Sequence, residues 1–319
     1  MATTSDPRGR WGLAALVVFG VAVRIWQAGR LGTPPAPSGL GFPWDGPPLL
    51  EVVTTLLGQT AVAWLGGAAA LVGVALLARR GLSPRGALVA TGIAAIAPPL
   101  VFGGAWWAPA NVSIPLTLAT AWLLMDVLDG QPRAWALGLM GVALGAADWF
   151  GFAPLAAWTI WLAVFRPGWV GPEEGRRALG ALAGATAATL GLWTLMAMTG
   201  TDPHRLFAGG LPEGLDALRM HVDSLAGLVV GRTPFLPLAA RVGMGAVVVG
   251  LVWRGARAAQ GTAWGGVLTV GSAGAFVLAL WMHPMVPMAQ EKALWAVAPL
   301  VVLIGVCGLS GTPEQRGEA

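Results

Sequence analysis

Few side chains in this sequence are equipped for chemistry, and most of those stand at the margins of long apolar runs. Asp45 and Glu51 flank Pro47 and Pro48, whose fixed φ angles would hold the intervening segment stiffly. Asp45 equally suits a solvated turn or a helix cap, and Glu51 equally suits the N-terminus of the apolar segment it opens. Lys292 is the only lysine among 19 basic residues. A cation at the end of an apolar run can hold a phosphate, or it can anchor the helix by snorkelling. Asp148 interrupts two apolar runs together with Trp149, Phe150 and Gly151; facing lipid would be costly, so it is expected to point into a bundle or into water. Arg24 and Arg241 stand near run ends, where each could neutralise a lipid phosphate or anchor its helix. Trp106 and Trp107 suit either the interfacial belt or stacking against a sugar. The histidines His204, His221 and His283 fit no short metal signature such as HExxH; His283, followed by Pro284 and close before Lys292, is the one retained as a candidate binding residue.

The elements that must position these residues are helices in a membrane. Hydrophobic residues make up 56% of the 319 and charged residues 11%, with a mean hydropathy of +0.70, whereas a soluble domain carries about 25% charged residues. Apolar runs near 11–27, 58–78, 86–105, 110–128, 134–150, 152–166, 178–199, 236–253, 263–282 and 293–310 are bounded by Gly, Pro or charge. They predict an all-α integral membrane protein of about ten transmembrane helices with short outer loops, a single polytopic domain over 1–319. The net charge of +4 does not imply nucleic acid, because the basic residues are scattered singly or in pairs between the runs. With tyrosine absent, tryptophan alone is expected to supply the aromatic belt. The one cysteine, Cys307, excludes a disulfide framework and reads as a small apolar filler. Arg24 and its bulky neighbours replace the small-residue site that a cleaved signal would need, so the first run reads as an uncleaved span.

With the N-terminus cytoplasmic, 12 of the 19 basic residues fall in loops on that side, as the positive-inside rule requires. Both termini, 1–10 and 311–319, are then cytoplasmic, and the membrane is expected to be a bacterial inner membrane. The outer face receives 28–57 and 200–235, the latter containing an amphipathic stretch at 213–230 that fits an interfacial helix. No GxxxxGK[ST] loop is present, and no GxGxxG lies between a strand and a helix, which argues against nucleotide chemistry.

Four local patterns resemble the GT-C class of polytopic glycosyltransferases, which includes the protein mannosyltransferases. Trp44-Asp45-Gly46-Pro47-Pro48-Leu49-Leu50 is similar to that class's His-Pro-Pro-Leu motif, with Gly46 in place of His. Ala97-Pro98-Pro99-Leu100, running to Trp106, Trp107, Ala108 and Pro109, resembles its Ser-Pro-Leu stretch and the turn that follows. Ala147-Asp148-Trp149-Phe150-Gly151-Phe152 resembles its Thr-His-Tyr-Phe-Gly turn. Gln290-Glu291-Lys292-Ala293-Leu294-Trp295 through Pro299-Leu300 looks like its Arg-Tyr-Leu-Leu-Pro element. The resemblance implies a polyprenyl-phosphate sugar donor, an envelope acceptor activated by Asp45 as base, Glu51 orienting a divalent cation, the acceptor or a loop amide, and Lys292 meeting the donor phosphate. It departs from the class in lacking the Asp-Glu pair on a short helix ahead of the Pro-Pro element and in lacking a large outer domain. Two other functions stay open: a noncatalytic subunit of this scaffold that binds lipid or a membrane protein partner, and a transporter or flippase, against which stands the absence of a clear inverted repeat.

Overall fold

A computed structural model of the chain describes residues 7–31, 48–97, 100–101, 108–148, 151–198, 237–281 and 297–310. The described residues form eleven α-helices and no strands: α1 (Pro7–Leu31), α2 (Pro48–Leu57), α3 (Gln59–Gly81), α4 (Pro84–Ile96), α5 (Ala108–Leu128), α6 (Ala134–Ala147), α7 (Phe152–Ile160, continued by a π-helical turn Trp161–Phe165), α8 (Pro172–Met198), α9 (Leu238–Ala258), α10 (Ala263–Trp281) and α11 (Ala298–Ser310). The all-helical expectation therefore holds. Among the described residues, three helices are long and apolar enough to cross a membrane, over Thr60–Gly81, Asn111–Leu128 and Pro172–Met196, and shorter apolar stretches run over Trp11–Trp26, Pro84–Ile96, Ala134–Ala147, Phe152–Phe165, Ala263–Val277 and Ala298–Ser310. The 13 residues of α4 and of α11 rise about 20 Å against a hydrocarbon thickness of about 30 Å.

Helix ends follow local chemistry. At α4, Ser83 caps the N-terminus by accepting from the Gly86 N–H at 3.2 Å, with Pro84 in the first turn, where no amide partner is lost. Pro98 and Pro99 follow its C-cap Ala97, so the apolar run 86–105 yields a helix that stops at Ile96. α3 carries Arg79 and Arg80 in its last turn and α8 carries Glu173 and Glu174 in its first, each charge placed to suit the helix dipole. The segment 28–57, read as an outer loop, contains a helix from Pro48 onward: the proline suits a first helical position, and its apolar residues recur at helical spacing. The amphipathic stretch 213–230 lies outside the described residues.

Packing fixes direction through glycine. Side chains added at Gly12 and Gly20 of α1 would meet Leu88 and Ala95 of α4, and Gly67 of α3 lies under Arg24, so α1 runs parallel to α4 and antiparallel to α3. Gly66 and Gly73 of α3 abut Asn111 and Leu118 of α5, a parallel pair. Gly138, Gly141 and Gly145 of α6 face Ala181, Ala185 and Thr189 of α8, again parallel, while Gly266, Gly271 and Gly274 of α10 lie against Trp161, Trp158 and Ala157 of antiparallel α7. Gly255 of α9 and Gly308 of α11 meet backbone to backbone. These contacts gather the turns α3–α4, α5–α6, α7–α8 and α9–α10 at one end of the bundle, hereafter the turn end.

Tryptophan does more than belt duty. Trp11, Trp26, Trp135 and Trp253 are exposed as expected, but Trp158, Trp193 and Trp264 are buried in the core. Trp158 donates its indole N–H to the Val267 carbonyl at 2.8 Å, and Trp264 donates to the Leu77 carbonyl at 2.8 Å while lying against Gly81. Each buries a large ring without orphaning its donor.

Gly308→Val should therefore cost about 1–3 kcal/mol through overpacking against α9. Gly180→Val, at a site where an added side chain meets nothing within 4 Å, should change stability by less than about 0.5 kcal/mol; thermal unfolding in detergent compares the two.

Candidate functional site

The sequence-derived candidates divide into three groups. Asp45, Trp106, Trp107, His283 and Lys292 lie outside the described residues. Glu51 and Arg241 are placed by backbone only: Glu51 sits in the first turn of α2 and Arg241 near the start of α9. Arg24 and Asp148 are described in full, and both are buried, at 3% exposure each.

Asp148 terminates α6 in an extended conformation. Its N–H donates to the Leu144 carbonyl at 3.2 Å, and its own carbonyl accepts from the Gly151 N–H at 3.1 Å. This turn is clamped on α8: Gly145 abuts Thr189, and Phe152 packs on Trp193 with ring centroids 4.9 Å apart. The carboxylate thus sits inside the bundle, as the cost of exposing it to lipid requires. α2 packs on α3, α5 and α6, so the helix carrying Glu51 is brought against the helix that ends in Asp148. Arg241 belongs to another neighbourhood, since α9 packs on α11 and α10.

Arg24 is held by carbonyls. One terminal nitrogen donates to Gly20 at 2.9 Å and to Ala95 at 3.4 Å, and the other to Ala94 at 3.1 Å and to Leu100 at 3.3 Å. Ala94 and Ala95 belong to the last turn of α4, where carbonyls lack helical partners and the dipole is negative. Among the described residues no carboxylate pairs with Arg24, and Nε alone has no acceptor. With both terminal nitrogens committed, its geometry is that of a bolt joining α1 to α4 across Gly67 of α3, rather than of an open phosphate fork.

The most developed polar constellation lies at the turn end and centres on Asp126, which the sequence reading did not single out. Asp126 accepts from Arg80 at 2.7 Å and from Arg133 at 2.8 Å, while Arg80 also reaches Asp129 at 2.5 Å and stacks its guanidinium over Trp122, 4.9 Å from the ring centroid. The Asp126 side chain is 10% exposed and that of Asp129 51%. Arg80 comes from α3, Asp126 from α5 and Arg133 from the α5–α6 turn, so one carboxylate ties three segments. The signal was present: Asp126 is the one acid inside the run 110–128, and an acid there needs a cation. Among the described residues no three His, Cys, Asp or Glu gather as a metal would require. No protein-family model, curated protein or solved structure matches the chain.

Two stability measurements separate these roles. Asp126→Asn should cost about 1–3 kcal/mol by removing the near-buried charged acceptor that Arg80 and Arg133 share, whereas Asp129→Asn, half exposed, should cost less than about 1 kcal/mol. Arg24→Ala should lower stability by about 2 kcal/mol or more, because the carbonyls of Ala94, Ala95 and Leu100 lose charged donors; unchanged unfolding would mean that Arg24 is not the bolt described.

Proposed function

We propose that the chain transfers a sugar from a polyprenyl-phosphate donor to an envelope acceptor at the outer face of a bacterial inner membrane, on a bundle of about ten spans resembling the GT-C glycosyltransferases. The observation that carries the reading is the packing of α2 on α6. It sets the helix that opens at Pro48 and carries Glu51 against the helix that ends in the buried Asp148, which supports reading two of the four resembling patterns as one site. The turn end bears Arg79, Arg80, Arg85, Arg133, Arg166, Arg176, Arg177, Arg254 and Arg257, and an excess of arginine in short loops marks the cytoplasmic side. The end of α6 with Asp148 and the start of α3, into which α2 leads, then lie at the outward end, where a lipid-linked sugar would be presented. In this reading Asp45 takes the acceptor proton, Lys292 compensates the leaving phosphate, and Glu51 orients the acceptor or a divalent cation. His283, Trp106 and Trp107 complete the donor cleft, and Arg24 supports it from within.

A second reading, a noncatalytic subunit of the same scaffold, is favoured by one observation. α8 is the least covered of the three long apolar helices, and Gly180, Gly184 and Gly191 of α8 have no neighbour within 4 Å of an added side chain. Small residues on open helix faces permit close helix association in lipid.

The discriminating experiment follows sugar transfer from a synthetic polyprenyl-phosphate sugar by the protein in lipid nanodiscs, with and without a chelator. Asp45→Asn should lower turnover about 100-fold or more while leaving donor binding intact, and Lys292→Gln should weaken donor binding. Transfer undiminished in Asp45→Asn would overturn the assignment of the base. No transfer by the wild type, together with intact donor binding, would favour the noncatalytic subunit.

A further inference from the structure

The nine arginines of the turn end are not equivalent. Arg80 and Arg133 share Asp126, and Arg177 pairs with Glu173. Arg166 and Arg176 donate to the backbone carbonyls of Ala163 and Pro172. Arg79, Arg85, Arg254 and Arg257 are exposed, and among the described residues no carboxylate or carbonyl accepts from their side chains; of these four, Arg254 and Arg257 are the pair less than one turn apart on one helix, near the end of α9. The Arg257 guanidinium lies over the Trp253 ring, 5.0 Å from its centroid. That contact restrains the cation from one face and leaves its N–H edge available.

Beneath these cations the helix presents hydrocarbon. Val247 stands seven residues before Arg254 and Val249 eight before Arg257, so each shares a face with its arginine; both valines and Trp253 are exposed. Gly250 falls between the two faces and has no neighbour within 4 Å of an added side chain, which leaves a furrow between the valine rows. α9 is covered chiefly through Gly255, on its opposite side, against α11. A soluble anion would satisfy the arginines and leave the apolar furrow bare. An apolar helix would fill the furrow and strand two charges.

We infer that this end of α9 binds an anionic phospholipid of the leaflet at the turn end, its phosphate in the fork of Arg254 and Arg257 and an acyl chain in the furrow over Gly250. The inference rests on the membrane reading of the bundle and is independent of any sugar transfer. The carboxylates of Glu314 and Glu318 lie outside the described residues, so the test uses the full chain.

The purified protein is equilibrated with vesicles of phosphatidylcholine and phosphatidylglycerol in equal parts, and the lipids retained are counted by native mass spectrometry. The wild type should retain phosphatidylglycerol preferentially. Arg254→Gln with Arg257→Gln should reduce that preference about tenfold, with an unfolding temperature in phosphatidylcholine alone equal to that of the wild type, while Arg166→Gln with Arg176→Gln should leave it unchanged. An equal loss in both double variants would overturn the site in favour of diffuse charge attraction. Displacement of the lipid by inorganic phosphate would overturn it in favour of a soluble anion, and an undiminished preference in the α9 variant would overturn it outright.

Discussion

In a bundle that turns many large apolar side chains outward as well as inward, burial of hydrocarbon alone does not tell one helix where to sit on another, and the close approach of backbones must do so. Glycine at the crossings is the constraint on which this structure depends. Any side chain at Gly66 would strike the Asn111 backbone, at Gly145 the Thr189 side chain, and at Gly255 or Gly308 the facing helix backbone. These four glycines sit at three crossings, of α3 with α5, α6 with α8 and α9 with α11. Because each of these glycines seats one facing helix at that depth, the contacts set register as well as proximity. The register then decides which polar groups meet: with Gly73 seated on Leu118, the end of α3 falls beside the end of α5, and Arg80 reaches Asp126.

Charge is handled differently at the two ends. At the turn end, Asp126 is divided between two arginines, and the excess positive charge is left outward. Toward the other end, Arg24 is met by carbonyls that the last turn of α4 could not satisfy for itself. The bond geometry solves two problems at once, since a buried guanidinium and a buried helix C-terminus are each costly alone. Asp148 is likewise placed at a helix end, where its backbone closes the turn to Gly151. Such charges can be kept in an apolar bundle only where the helical ladder is interrupted.

Much of the helical content was legible in the sequence, because apolar runs bounded by Gly, Pro and charge coincide with most of the helices. What ran differently has identifiable causes. Pro98 and Pro99 cut α4 short of its apolar run, and Pro48 starts a helix inside a stretch whose Pro and Gly content reads as loop. The burial of Trp158 and Trp264 was not legible, because composition cannot tell a belt tryptophan from one whose N–H finds a carbonyl on a helix more than a hundred residues away. Asp126 escaped notice for a related reason: its two partners are separated from it by 46 and 7 residues, and only the folded register joins them. For the candidate site, the sequence named Asp148 and Glu51 separately, and only the packing of α2 on α6 relates them.

That relation bears on what the site can be. A carboxylate held inside the bundle at the end of α6 is shielded from water and fixed by its turn, which suits a group that orients a bound hydroxyl better than one that exchanges protons with solvent. Glu51, in the first turn of a short helix lying on α6, faces the opposite requirement, because its helix can adjust only as a unit against α3, α5 and α6. The two acids therefore differ in how they are held: Asp148 by the closed turn at a helix end, Glu51 by the packing of its whole helix.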